Sequence, residues 1–351
     1  MRKFGWAGKP ATIILAVLGG LVAAWFFFRR LATADFEWDR FWTTFTQLHT
    51  GWLTAGVVLV FLTYVGRALR WQVMMRPLAP HARFSKLLSA TIIGFTGIVI
   101  LGRPGELIRP YLIAIREKTP FSSQMAIWLL ERIWDLLVVL AMFGFGLSRV
   151  EIDPNTVGPS MQWLLRTGGI VVAGLCTVCV GILLMIGIFS DAAQRRIREA
   201  MPVIPERFRS RVEEVLLAFA GGMKATRSGS YNVQILAYSV AEWAIIVAGT
   251  WCLLRSFPQT ANFSFVDSAV FIGFVAFGSI VQIPGIGGGM QVASVVILTE
   301  LFGVDLAAAT GVAVLIWLSM YVFIAPVGIL LAVHEGLKWK ELRHLDTEKL
   351  R

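Results

Sequence analysis

The 351-residue sequence is short of charge, histidine and cysteine: Asp, Glu, Lys and Arg together make up 15%, and there are four histidines and three cysteines. Soluble domains carry about 25% charged residues, so the composition argues against a water-soluble enzyme. Three cysteines do not make a disulfide scaffold. Cys176 and Cys179 form a CxxC, but they sit in an apolar run with no further ligand nearby, which reads as small buried residues rather than zinc or redox chemistry. No His, Cys or acid cluster points to a metal. The glycine-rich run at 285–289 has neither a Gly-Lys-Ser/Thr ending nor a flanking strand, so it is no nucleotide loop. No cofactor is expected.

Hydrophobic residues are abundant, at 56%. Apolar runs long enough to cross a bilayer fill residues 11–28, 52–73, 125–147, 170–189, 233–254 and 306–333, six full spans. Two further apolar regions, 87–115 and 266–301, are each interrupted by Pro and Gly. The expected fold class is therefore all-α: one polytopic integral membrane domain over 1–351, with six full spans and two re-entrant broken hairpins.

The net charge of +10 could suggest nucleic acid, but its distribution argues for membrane topology. If the broken regions enter and leave on one side, 21 of the 32 basic residues fall in segments on one face of the membrane and five on the other. The positive-inside rule then puts both termini in the cytoplasm. Ala32-Thr33-Ala34 resembles a cleavage site, yet the preceding run is long and Arg29-Arg30 intervene, so an uncleaved first span is expected. Phe36, Trp38, Phe41, Trp42, Phe45 and Trp52 suggest an outward interfacial helix. Residues 191–228 suggest an amphipathic helix on the cytoplasmic leaflet.

Charge that does enter the apolar regions is concentrated. Arg103, Glu106 and Arg109 lie in the first broken region, and Glu131, Arg132 and Asp135 in the next span. Unpaired at a bilayer centre, six such groups would cost roughly 15 to 20 kcal/mol on insertion scales, against a typical domain stability of about 5 to 15 kcal/mol. They must pair with one another or line a wet cavity. Pro104 breaks the helix, and Gly102 and Gly105 permit a reversal. A return helix from Gly105 would present free N–H groups and a positive dipole end to an anion. Glu106 and Arg109 share a face, as do Glu131 and Asp135, whereas Arg132 points about 100° away. Arg67 and Arg70, three apart, either snorkel to headgroups or contact a phosphate at the cavity mouth. The eight groups together are net positive by two, a field suited to a lipid phosphate, though a purely structural ion-pair network remains open. Glu242 is an isolated acid, either partner to a cavity cation or helix glue.

Ile93-Gly94-Phe95 reappears as Ile272-Gly273-Phe274, Pro104-Gly105 as Pro284-Gly285, and Ile133-Trp134 as Ile316-Trp317, in the same order. With three full spans between the hairpins, the second must enter from the opposite side. That gives inverted repeats of the kind found in transporters, over about 84–147 and 264–333. The second tip adds Gln282, Gly287, Gly288 and Gln291 as candidate substrate-binding residues beside Arg67, Arg70 and the six charges.

The run Gly102-Arg103-Pro104-Gly105-Glu106 with Arg109, followed by Glu131-Arg132 and Asp135, resembles the flippase-like membrane family typified by the transmembrane half of lysylphosphatidylglycerol synthetases. Pro284-Gly285-Ile286-Gly287-Gly288 is similar to that family's second motif. The likeness runs from about residue 51 to 333. It implies movement of a phospholipid or a lipid-linked intermediate, of polyprenyl-phosphate or hopanoid type, across the cytoplasmic (inner) membrane. Many members place a glutamate just after these glycines; here Gln291 stands. No aminoacyl-transferase domain follows in the sequence given, so lysine transfer is not implied. The expectation is a transporter without enzyme activity or catalytic residues. An integral membrane transferase with Glu131 or Asp135 as general base, and an accessory subunit of envelope synthesis, are the alternatives.

Overall fold

The computed structural model describes residues 36–149, 229–279, 282–283 and 287–336, with fragments at 167–168, 171–172, 174–182, 213, 215, 217 and 220–222. The expected first span (11–28), the loop at 151–162, residues 170, 173 and 183–189 of the span at 170–189 and nearly all of the amphipathic segment at 191–228 lie outside the described residues.

The described chain is helical apart from one two-residue ladder. Helix α1 (Trp38–Thr46) is short and amphipathic, with Trp38 and Trp42 exposed. It precedes α2 (Thr50–Met75), α3 (Phe84–Leu101), a 3-10 turn (Arg103–Leu107), α4 (Ile108–Arg116) and α5 (Phe121–Leu147). After the fragments come α6 (Gly229–Arg255) and α7 (Phe265–Gly278). Strands β1 (Gln282–Ile283) and β2 (Gly287–Gly288) pair antiparallel and lead into α8 (Gly289–Glu300). Then come α9 (Leu306–Trp317), a π-helical turn (Leu318–Val322) and α10 (Ala325–His334). Among the described residues four helices are long and apolar enough to cross a membrane: α2, α3, α6 and the continuous Leu306–His334 unit. Helix α5 is 27 residues long but carries Glu131, Arg132 and Asp135.

The two ends of the bundle are marked by contacts. Arg76 donates to Gln234 across the base of α2 and α6, whereas the His49 N–H donates to the Ser256 carbonyl at their other end. The first broken hairpin, α3–α4, has its base at the Arg76 end: Arg116 is paired with Glu335 just past α10, and Gln124 at the start of α5 accepts from Trp71. The second hairpin, α7–α8, has its base at the His49 end. There Trp251 donates to the Phe263 carbonyl, and the Phe263 and Phe302 rings pack at a tilt with centroids 4.6 Å apart. The tips meet inside the bundle, where Arg103 donates to the Ser279 carbonyl at the end of α7.

The reversal at the first tip follows from local sequence. Gly102 sits at φ 69°, in the left-handed region that an L side chain rarely adopts. Pro104 falls in the first turn of the 3-10 segment, where its missing N–H costs nothing. The return helix starts at Ile108 and not at Gly105, because the three residues after Pro104 complete the tighter turn first.

Candidate functional site

A cavity of about 350 Å³ lies between the two hairpins, α2, α5, α6 and the π-helical turn. Its wall carries Arg67, Arg103, Glu106, Arg109, Arg132 and Asp135. Aromatic groups line it as well, Phe95 beside Arg67 and Trp243 bonded to Asp135 together with Trp128, Phe277 and Tyr321. Both hairpins contribute: Gly94, Phe95 and Ile98 from α3 face Ile272, Val275 and Ala276 from α7.

Beneath the polar wall is Arg70, fully buried on α2. Its Nη1 donates to Asp135 Oδ1 at 2.5 Å and to Ser239 Oγ at 2.9 Å; its Nη2 donates to Glu131 Oε1 at 2.7 Å and Asp135 Oδ2 at 3.1 Å. Those four bonds use every Nη hydrogen of the guanidinium. Arg70 thus neither snorkels nor lines the cavity; it is the hub that holds α5 and α6 against α2.

Arg109, on α4, is almost as buried. It straddles Glu131 at 3.1 and 3.2 Å, donates to the Arg67 carbonyl at 3.0 Å, and stacks its guanidinium 4.1 Å from the Trp71 ring centroid. It can come this close to α3 because Gly94 has no side chain: a Cβ there would lie 2.7 Å from that of Arg109. Glu131 is fully buried between Arg70 and Arg109, so it faces arginines rather than the cavity.

Arg132 and Arg103 are the most exposed arginines of the cluster. Arg132 has a side chain 38% exposed and only looser pairs, 3.4 Å to Glu131 and 3.9 Å to Asp135. The Arg103 side chain, 42% exposed, joins Glu106 to Ser279 across the two tips. Asp135 reaches the cavity while accepting from Arg70 and from Trp243 Nε1 at 3.3 Å.

The second hairpin is differently employed. Gln291 Oε1 accepts from the Gly288 N–H at 2.7 Å and so caps α8. Gln282 and Gly287 belong to the ladder. Among the described side chains Gln291 does not line the cavity, whose described wall from this hairpin is made by α7, Ser279 and Met290.

Glu242 proves to be part of the cluster. It lies 3.0 Å from Arg67 and 3.3 Å from Arg70. A lone acid in an apolar span was the available signal, and Ser239, three residues earlier on the same face, could have been found with it. Tyr321 and Trp243 carried no such signal. With Glu242 counted, the excess of positive charge falls from two to one. Among the described residues no group of three His, Cys, Asp or Glu side chains is arranged to hold a metal ion; the acids converge on Arg70 instead.

Comparison with known proteins places these features in context. A family model described as "Lysylphosphatidylglycerol synthase TM region" matches residues 13–328. A curated relative, "Glycosyltransferase AglD" of Haloferax volcanii, is 24% identical over 293 residues, covering 75% of this chain and 45% of the relative. The chain thus spans less than half the length of that relative. No solved structure matches. The relative's name corrects one expectation: a chain of this kind cannot be set down as lacking enzyme activity, since the similar protein is named as a transferase.

Proposed function

The chain belongs to the lysylphosphatidylglycerol synthase transmembrane-region family, and from that premise we propose that it binds the phosphate headgroup of a membrane lipid in the cavity between its hairpins and moves that lipid between leaflets. On this reading it is a multi-pass protein of the cytoplasmic membrane with both termini in the cytoplasm, and the hairpins are re-entrant inverted repeats. The observation that carries the proposal is the mixed lining of the cavity. Arginines, Arg132 with the loosest pairs among them, share one wall with aromatic and aliphatic groups, which suits an amphiphile with an anionic head. A guanidinium can grip a phosphate through two parallel hydrogen bonds. Arg132 can turn to a ligand without dismantling the buried hub, and so is the first headgroup contact; Arg103 and Arg67 follow.

The test is transfer of fluorescent phosphatidylglycerol in vesicles containing only the purified protein, read with a membrane-impermeant reductant. Wild type should raise the fraction of label that becomes accessible, and Arg132→Gln should fold yet slow transfer about tenfold, equivalent to about 1.4 kcal/mol. No transfer by the wild type overturns the proposal.

The name of the matched relative favours a second reading, in which the lipid phosphate is the acceptor or carrier in a group transfer. Asp135 would then be the base, since it reaches the cavity and Glu131 does not. Appearance of a sugar-modified lipid on incubation with labelled nucleotide sugars would favour it over translocation.

A further inference from the structure

Glu242 has a feature the rest of the cluster lacks. Both its carboxylate oxygens are buried and accept no hydrogen bond, although two guanidinium groups stand within ion-pair distance. Arg70 supplies no bond to it: all its Nη hydrogens go to Asp135, Glu131 and Ser239, and its Nε–H meets no acceptor. The charge of Glu242 therefore leans on Arg67, and Arg67 is a cavity-wall residue whose guanidinium lies 4.9 Å from the Phe95 ring. The charged groups facing Glu242 are Arg67 and Arg70 from α2 and Glu131 and Asp135 from α5. Helix α9 carries no charge, and the single acid of α7, Asp267, is committed to Ser264 at its own N-cap.

We propose that Glu242 is a proton acceptor coupled to headgroup binding, an inference that rests on reading the cavity as a phosphate-lipid site. An anionic headgroup draws the Arg67 guanidinium towards itself and away from Glu242. The carboxylate is then left desolvated beside Glu131 and Asp135 with no directed donor, conditions that favour the neutral form. It takes a proton from cavity water onto a carboxylate oxygen, and returns it when the headgroup leaves and Arg67 swings back. One O–H bond forms on the carboxylate as the donor acid, hydronium or buffer reached through the cavity water, gives up its own bond to that proton, and no other covalent bond changes. The coupling is reciprocal: a proton on Glu242 frees Arg67 for the phosphate, so lower pH tightens binding. A lipid crossing by this route carries a proton with it, which links its direction to the proton gradient.

Calorimetric titration of short-chain phosphatidylglycerol into the full-length protein in neutral detergent, run in two buffers of different ionisation enthalpy, counts the protons directly. The wild type should take up about one proton per lipid near neutral pH, and its affinity should fall by up to about tenfold per pH unit as pH rises. Glu242→Gln should bind with no proton uptake and with affinity independent of pH. Binding by the wild type without uptake overturns the coupling alone, as does uptake that survives in Glu242→Gln. Absence of binding at every pH overturns the headgroup reading and the coupling with it. The wild-type count decides the matter even if the variant does not fold.

Discussion

Arg70 shows how a charge can be buried in apolar surroundings without being a binding residue. Its fork meets two carboxylates and a hydroxyl, and Glu242 adds a fourth contact. Removing one partner of a buried pair leaves the others uncompensated, at a cost of about 3–5 kcal/mol. Arg70→Met should therefore lower thermal stability in detergent more than any other single arginine replacement in the cluster. Arg132→Gln, with a side chain 38% exposed, should leave stability almost unchanged. Comparable melting of the two variants would show that Arg70 is no hub. The residue types of the site were legible: ionisable groups are too costly in lipid to be there without partners, and Arg103, Glu106, Arg109, Arg132 and Asp135 do meet at one cavity. The division of labour was not. Arg67 and Arg70 are one turn apart on α2, yet one lines the cavity and the other is sealed beneath it. That difference depends on where α5 and α6 pack, which helical spacing does not encode.

Each hairpin was readable as an interruption of an apolar run by Pro and Gly, and each interruption is where the structure turns. The geometry of the two turns is not the same. The first is a 3-10 segment between arms of 18 and nine residues; the second is a miniature ladder between arms of 14 and 12. Gln291, a candidate ligand by its place after the glycines, spends its carbonyl on a helix cap, a use that sequence alone could not separate from binding. The close packing of α3 on α4 gives a prediction at this scale. A Cβ at Gly94 would lie 2.7 Å from Arg109 Cβ and 3.2 Å from its Cα and N, so the obstacle is mainly backbone and the helices must part. Gly94→Ala should cost about 1–3 kcal/mol and disturb the Arg109–Glu131 pair. Gly66→Ala, on α2 with open space around it, should instead be neutral or gain up to about 1 kcal/mol from helix propensity. Equal thermal stabilities for the two variants would mean that the α3–α4 contact is looser than drawn.

For the molecule as a whole, the orientation in the membrane turns on which end of the bundle carries more of the basic residues. The Arg76 end of the bundle gathers Arg76, Arg83, Lys86, Arg116 and Lys118, whereas the His49 end has Arg40 paired with Glu37, Arg149 over the Phe145 ring and Arg255 clasped between Trp52 and Trp251. Basic residues concentrated at one end predict that this end faces the cytoplasm. The first hairpin, whose base lies at that end, would then be entered from inside, and the second from outside. The contacts that fix the two bases at opposite ends, Arg116 with Glu335 and Trp251 with Phe263, hold whichever way the molecule is inserted, so architecture and orientation can be tested separately. In a protein freed of Cys176, Cys179 and Cys252, a cysteine at exposed Lys118 should react with an impermeant maleimide only in inside-out vesicles. One at exposed Gln259 should react only in right-side-out vesicles or intact cells. Labelling of both from the same side would contradict the opposed hairpins and the inverted repeats with them. Labelling of each from the side opposite to that expected would keep the architecture, reverse the orientation, and place the Arg116–Glu335 end outside.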